Sequence, residues 1–444
     1  MIKLRLFFLF SFSFYLFLLA LPVHCQEIIA FPYQFTQYEL DNGLQVVLVE
    51  DFSLPIVSVS VAYNVGSINE RPGKTGIAYL LENLMFQGSK NVGRMQHISL
   101  IHRIGGEWNA IPPEENTIFY QTVPSNQLAL VLWLESDRMN SLLLTHTRVE
   151  QTKNSLIEDL EQRMNSDPYL ETSLLFDRLL YPDFSYKNPI SAEISDIRNL
   201  TVNDIVNFYQ TYYIPNNAVL CICGHFDKVQ VMEWIERYFS SIPKGEEIPI
   251  FEPITQMTSK THTRTVTNPL ISAPAFKIGY RIAPPYSEDY YPLVFLEYIL
   301  LKGKSCRIYK RLMGKTPIAY MLEGGIERKK DLATFKIFVV ANNEVMKDRC
   351  LKAVQSEINK LKSNLVSNEE FEKVKNMFKR DYYNQFGTSA DIAIFLSENY
   401  LERQDLQSIQ LELSKYLSVK PIQILRAAQK YFEQENVYLD IKIK

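Results

Sequence analysis

Cysteine is scarce in this chain: 444 residues hold five, and one of them, Cys25, sits at the end of an apolar N-terminal run. The other four, Cys221, Cys223, Cys306 and Cys350, are too few and too scattered for a scaffold built on disulfides. Cys221 and Cys223 alternate within an apolar stretch that starts at Ala218, so both point to one face of a strand and cannot bridge each other. No second cysteine pair stands at ligand spacing, which leaves buried free thiols as the expectation. Histidine is almost as rare, at six, and His97 and His102 are five apart, off the i, i+4 spacing of a helical metal clamp. Both are expected on the surface or in loops. An excess of one charge is missing too. Lys and Arg number 47 against 50 Asp and Glu, with no long basic run, which removes the electrostatic case for nucleic acid. Only one apolar run approaches the ~18 residues of a membrane span.

That run is at the start. Lys3 and Arg5 precede an almost unbroken apolar stretch from Leu6 to Leu21, followed by Val23-His24-Cys25-Gln26. A positive start, an apolar middle and small residues near a cleavage point make an export signal over residues 1–25, cut after Cys25. The same residues serve two other uses, a retained anchor and a lipid-modified Cys25, though Pro22, Val23 and His24 are poor company for lipid processing. The mature chain is expected to be exported, periplasmic in a bacterial host and secreted otherwise, with no membrane segment of its own.

The length favours two domains of roughly 200 residues over one core. Around Asn42-Gly43 two apolar runs read as a hairpin. Val57 to Tyr63 alternates as a strand; Lys74 to Phe86, Gln127 to Ser141, Arg148 to Arg163 and Thr201 to Tyr213 carry helical spacing; Val219 to Cys223 is a strand stopped by Gly224. Residues 246–260 are polar and marked by proline, and are assigned as the linker between an N-terminal domain, 26–245, and a C-terminal domain, 261–444. After it the order begins again, with a strand at Ala275 to Ile282, a helix at Asp289 to Leu301, a strand at Phe335 to Ala341, and long helices at Val345 to Leu361 and Asn368 to Phe386. Elements that recur in similar order suggest two related α+β halves, although residue identity between them is too low to call a repeat.

The chemistry concentrates at residues 79 to 83, Tyr-Leu-Leu-Glu-Asn. Positions 79 and 83 project from one helical face, with Glu82 beside them. Two histidines there would form a zinc clamp with a general-base carboxylate adjoining. Glu158 follows on the next acidic helix, with 74 residues between it and Asn83. That interval resembles the M16 family of zinc peptidases, the group of pitrilysin, insulinase and mitochondrial processing peptidase, in which a downstream Glu is the third ligand. Further segments are similar to the same family: Leu40-Asp-Asn-Gly-Leu44, Gly105-Gly-Glu-Trp-Asn109-Ala110, Tyr212-Tyr-Ile-Pro-Asn-Asn-Ala218, Ser305-Cys-Arg307-Ile-Tyr309 and Ile318-Ala-Tyr320. Their order covers residues 27 to 444.

The departures from the family carry the functional expectation. The resemblance places the metal ligands on Tyr79, Asn83 and Glu158, the base on Glu82, and substrate contacts on Asn109, Ala110 and Tyr320. A carboxamide oxygen is a poor zinc donor, and a tyrosine ligates only as phenolate, against a reference pKa near ~10. Structural zinc is worth about 10–16 kcal/mol over four ligands, so two lost donors cost on the order of 6–8 kcal/mol, or about 10⁴-fold in affinity. No metal is expected. The family's Arg seven residues before Tyr320 is Met313 here, with Arg307, Arg311 and Lys315 as nearby substitutes. A neutral network joining Tyr79 and Asn83 to Glu158 is expected to fill the old site, with Glu82 and Glu158 as solvated helix carboxylates and Tyr320 in the core.

The resemblance implies an α+β fold of two homologous halves, each an antiparallel sheet packed with helices. It implies an exported, catalytically inactive member that serves as a non-catalytic subunit of an active M16 relative, or pairs with itself, and binds peptide or unfolded polypeptide. Two alternatives stand beside it: an active metalloendopeptidase holding zinc in an atypical site, and a purely structural assembly subunit.

Overall fold

A computed structural model describes residues 31–112, 114–181, 184–187, 193–249, 262–433 and 436–444. The expected export signal and most of the expected linker lie outside the described residues.

The first half opens with the hairpin read from Asn42-Gly43. β1 (Thr36–Glu39) and β2 (Gln45–Glu50) pair antiparallel around it. The turn needs its glycine: Gly43 sits at φ +86°, where a Cβ would strike Asn216 at 2.7 Å. β3 (Ile56–Tyr63), β4 (Glu107–Ile111), β5 (Thr117–Pro124) and β6 (Ala218–Gly224) complete a six-stranded sheet in the order β1-β2-β6-β3-β5-β4. The second half forms its own sheet from β7 (His262–Asn268), β8 (Ala275–Ile282), β9 (Ala319–Arg328), β10 (Ala333–Ala341) and β11 (Val437–Ile443), in the order β7-β11-β8-β10-β9. With β1 set aside, the two orders match place for place. Each sheet is antiparallel except for one pair, β2 with β6 and β7 with β11, which run parallel. Topology therefore shows the internal repeat that residue identity leaves open.

The helices used to cover the sheets include α1 (Ile77–Leu84), α2 (Gln96–Arg103), α3 (Leu128–Ser141), α4 (His146–Ser166) and α5 (Leu170–Leu180) in the first half. The second half adds α6 (Tyr290–Leu300), α7 (Asn368–Asn384) and α8 (Ser389–Arg403). β3 and β6 are buried along nearly their whole length, as strands covered on both faces must be. Period two then divides their side chains. Val57, Val59, Val61 and Tyr63 join the core under the first half's own helices, while Ala62, Cys221 and Cys223 turn to a core shared with the second half. The helix lying there is α8: Ser58 Oγ is 2.7 Å from Ser389 Oγ, and Ser397 Oγ is 3.1 Å from Ser60 Oγ.

The exchange is mutual. α5 leaves the first half to lie on the second sheet, where Phe176 and Leu180 pack with Ala275, Val340, Val437 and Leu439. Each sheet is thus sandwiched between its own helices and one helix lent by the other half. Gly279 on β8 has no Cβ because one would stand 2.8 Å from Phe176 and 2.9 Å from Leu180. The four cysteines among the described residues are free and buried, as expected for Cys221 and Cys223, and burial raises the Cys223 thiol to about 12, so it stays protonated.

Candidate functional site

α1 begins three residues later than its periodicity predicts. The chain turns at Gly76, φ +86°, and the Glu70 carboxylate receives the N–H of Gly76 at 2.9 Å and of Ala78 at 3.0 Å. A buried carboxylate thus satisfies first-turn donors that would otherwise be orphaned, at the end of the helix dipole where negative charge is favoured. Reading the residues of the motif alone misses Glu70; an acidic residue just before a glycine-led helix is the signal that finds it. Ile77, Leu80, Leu81 and Leu84 then fix the helix in the first-half core and leave positions 79, 82 and 83 on the half-buried face.

The expected network between these positions and Glu158 is not formed. Asn83 Nδ2 donates 2.9 Å to the Tyr79 carbonyl one turn back on its own helix, and Glu158 on α4 is exposed. Local back-bonding offers asparagine a partner without crossing to another helix, and it wins here. Tyr79 instead leans toward the neighbours of Glu158. Its phenol is pushed above 10 by burial and by Asp159 and Glu82, with Arg163 opposing. Asp159 and Arg163 themselves pair at 3.5 Å. Glu82 is not the solvated carboxylate expected. Its Oε2 is buried with no hydrogen-bond partner, and desolvation raises the carboxyl to about 7.

Behind α1 lies a buried polar cluster that the sequence reading misses. His97, expected on the surface, is 2% exposed on α2, where Nε2 is 3.2 Å from Gln121 Oε1. Gln121 in turn bonds Glu135, whose carboxylate holds Arg138 at 2.5–2.8 Å. Burial and the Arg138 cation drive His97 down to about 3, so it is neutral. Only the fold brings α2, β5 and α3 together, so no local pattern announces this burial. His102 is exposed as expected and accepts the Trp108 indole N–H at 3.2 Å.

The three positions expected to contact substrate fall on sheet edges. Asn109 and Ala110 are on β4, the last strand of the first sheet, and Tyr320 is on β9, the last of the second. Trp108 on β4 packs on Phe86, just beyond α1, at 4.3 Å between ring centres. Asn109 Oδ1 turns back to accept the Ala110 N–H at 2.9 Å. Tyr320, expected in the core, is 66% exposed, because it projects from an edge strand. Two of the three nearby cations are engaged elsewhere: Arg307 grips Glu370 at 3.0 and 2.6 Å, and Arg311 lies 3.6 Å from Glu357.

These donors do not fit a zinc ion. Position 83 offers an amide whose N–H₂ is turned into its own helix, position 79 a phenol held away from phenolate, and among the described residues no three His, Cys, Asp or Glu side chains are placed to hold a metal. What the geometry retains is a buried carboxyl on α1 raised to about 7, and two strands, β4 and β9, that end their sheets.

Family models match most of the chain. Residues 45–190 match the insulinase domain of peptidase family M16, and residues 199–378 match the domain described as "Peptidase M16 inactive domain". The zinc protease PqqE of Helicobacter pylori is 27% identical over 397 residues, spanning 89% of each chain. A crystal structure of a protease from Helicobacter pylori superposes with a TM-score of 0.86 at 26% identity, covering 92% of this chain and all of that one. An M16 inactive-domain structure from Pseudomonas fluorescens gives 0.82 at 16% identity over 93% and 98% of the two chains. The chain belongs to peptidase family M16.

Proposed function

We propose that this chain is an exported, non-catalytic M16 protein that holds extended polypeptide, as a subunit beside an active relative or as a pair with itself. The observation that carries the reading is the donor chemistry of α1, an amide committed to its own helix and a phenol displaced from ionisation. The leader-like residues 1–25 support export. The open edges of β4 and β9 support peptide holding by strand addition, in which backbone hydrogen bonds give affinity without cleavage. One observation favours the active alternative: Glu82 at about 7 has the pKa of a working general base.

Metal analysis separates the two. The purified full chain is expected to carry zinc well below one equivalent, while Tyr79→His with Asn83→His raises zinc affinity by about 10⁴-fold. Stoichiometric zinc in the wild-type chain, with chelator-sensitive peptide cleavage lost in Glu82→Gln, would overturn the inactive reading. Co-purification with a histidine-bearing M16 chain distinguishes the subunit role from self-pairing.

A further inference from the structure

Where β4 ends, a cleft of about 560 Å³ opens between the halves. Glu114 and Glu115 border it from the first half; Asp381 on α7, Glu398 and Glu402 on α8, and Glu412 border it from the second. Six carboxylates thus meet two lining cations, Arg328 and Arg403. Most of the acids are spoken for. Glu114 pairs with Lys329, Glu402 with Arg328 at 2.6 Å, Glu412 with Arg403, and Asp381 accepts from Arg380 and from Tyr298 at 2.9 Å. Glu115 has one oxygen on the Lys330 N–H at 2.7 Å. Glu398 makes no hydrogen bond or ion pair among the described residues.

A second observation is independent of the acidic side chains. Tyr382, 8% exposed, has a buried hydroxyl with no hydrogen-bond partner, and it shares the cleft lining with Phe378, Phe395 and Tyr416. An unpaired carboxylate, an unpaired phenol oxygen and aromatic walls are together the complement of one ligand chemistry, an organic cation with N–H donors. Inorganic cations are poorly served, since no three acidic side chains among the described residues are grouped for coordination. We propose that this interhalf cleft binds a primary ammonium or guanidinium group, with Glu398 and Glu115 as its carboxylate partners. The cation belongs either to a basic residue of a bound polypeptide or to a free polyamine. The assignment does not require strand addition at β4 or β9.

The cleft in its ligand-free form carries a mark of the same need. Burial raises the carboxyls of both Glu115 and Glu398 to about 7, with Glu402 and Arg328 facing Glu398, and Lys329, Glu114 and Glu402 facing Glu115. A bound cation favours their ionised forms, so binding releases protons and tightens from pH 6 to pH 8.

Calorimetric titration of the full chain with acetyl-Gly-Arg-Gly-amide, its citrulline analogue and spermidine tests this. The arginine peptide is expected to bind at least tenfold tighter than the citrulline peptide. Glu398→Gln and, from the other half, Glu115→Gln are each expected to weaken it about tenfold, while the exposed Glu369→Gln leaves it unchanged. Spermidine binding tighter than the peptide assigns the site to free amines, and the reverse assigns it to polypeptide; either supports a cation site. Equal affinity for arginine and citrulline, or wild-type affinity in both glutamine variants, would overturn it. Loss of peptide holding at the strand edges with arginine binding intact would sink the proposed function alone.

Discussion

Where the halves embrace, the two sheets set different polar groups among their apolar residues. On the first sheet, the face under α8 presents Ser58, Ser60, Ala62, Cys221 and Cys223, small and uncharged. On the second, the face under α5 presents Lys277, Arg281 and Lys336. Lys277 reaches Ser173 and lies 4.5 Å from the Phe338 ring centre, Arg281 donates 2.7 Å to the Leu180 carbonyl, and Lys336 meets Asp177 at 2.6 Å. One strand order therefore accepts two chemistries at the same structural place. Small residues let a helix backbone approach closely, whereas amines demand that partners and desolvation be balanced. The close-packed side is also the one nearer the cleft: α8 buries Ala393 and Ser397 against the first sheet and turns Glu398 and Glu402 outward to the cleft.

The comparison breaks most sharply at Phe176, which is 2% exposed and anchors α5 to the second sheet. Phe176→Ala should cost about 3–5 kcal/mol, because the cavity forms between rigid strands and a helix that belongs to the other half. Urea unfolding followed by circular dichroism reads the loss. A cost under about 1 kcal/mol would mean that α5 is not what holds the halves together.

The next effect depends on pH. Lys277, 8% exposed and without a carboxylate within ion-pair distance among the described residues, has its ammonium lowered to about 8 by burial. The folded pKa lies below that of the unfolded chain, so the unfolded state binds the proton more tightly between them. The destabilisation is present in full below about pH 8 and is relieved as pH rises toward ~10.5, a span on the order of 3 kcal/mol. Lys277→Met should raise stability at pH 7 and flatten that part of the profile. The difference between wild-type and variant unfolding curves from pH 7 to 10 isolates this group from other titrations, and a pH-independent difference would refute the charge-burial account.

Local structure was legible from the chain, and long-range partnership was not. The strand Ala275–Ile282 falls where alternation and the following prolines place it, and the Asn42-Gly43 hairpin follows from turn chemistry. α1 is recognisable from its apolar spacing, but its start is set by Glu70, a capping partner outside the periodic pattern. Tyr320 carries the composition of a core residue and becomes exposed through strand order, which only the assembled sheet decides. Glu398 gave no local sign of interest, since its role depends on Glu115 arriving from 283 positions earlier in the chain. The exchange of α5 and α8 is invisible for the same reason. Periodicity says that a helix has an apolar face and is silent on whose sheet will cover it.

The smallest effect belongs to the close-packed side. Ser397 is fully buried, with Oγ 2.8 Å from the Ala393 carbonyl and 3.1 Å from Ser60 Oγ. Ser397→Ala removes one hydroxyl and no volume that the core needs, so it should cost about 0.5–1.5 kcal/mol, alike at pH 7 and pH 10 and at low and high salt. Ser397→Val is the sharper probe of the same surface, because added methyl groups press the helix away from β3, and overpacking typically costs about 1–3 kcal/mol. If volume and not hydrogen bonding sets the first-sheet contact, valine is worse than alanine despite being the more apolar residue. The reverse order would show that the serine ladder, and not close approach, joins α8 to the first sheet.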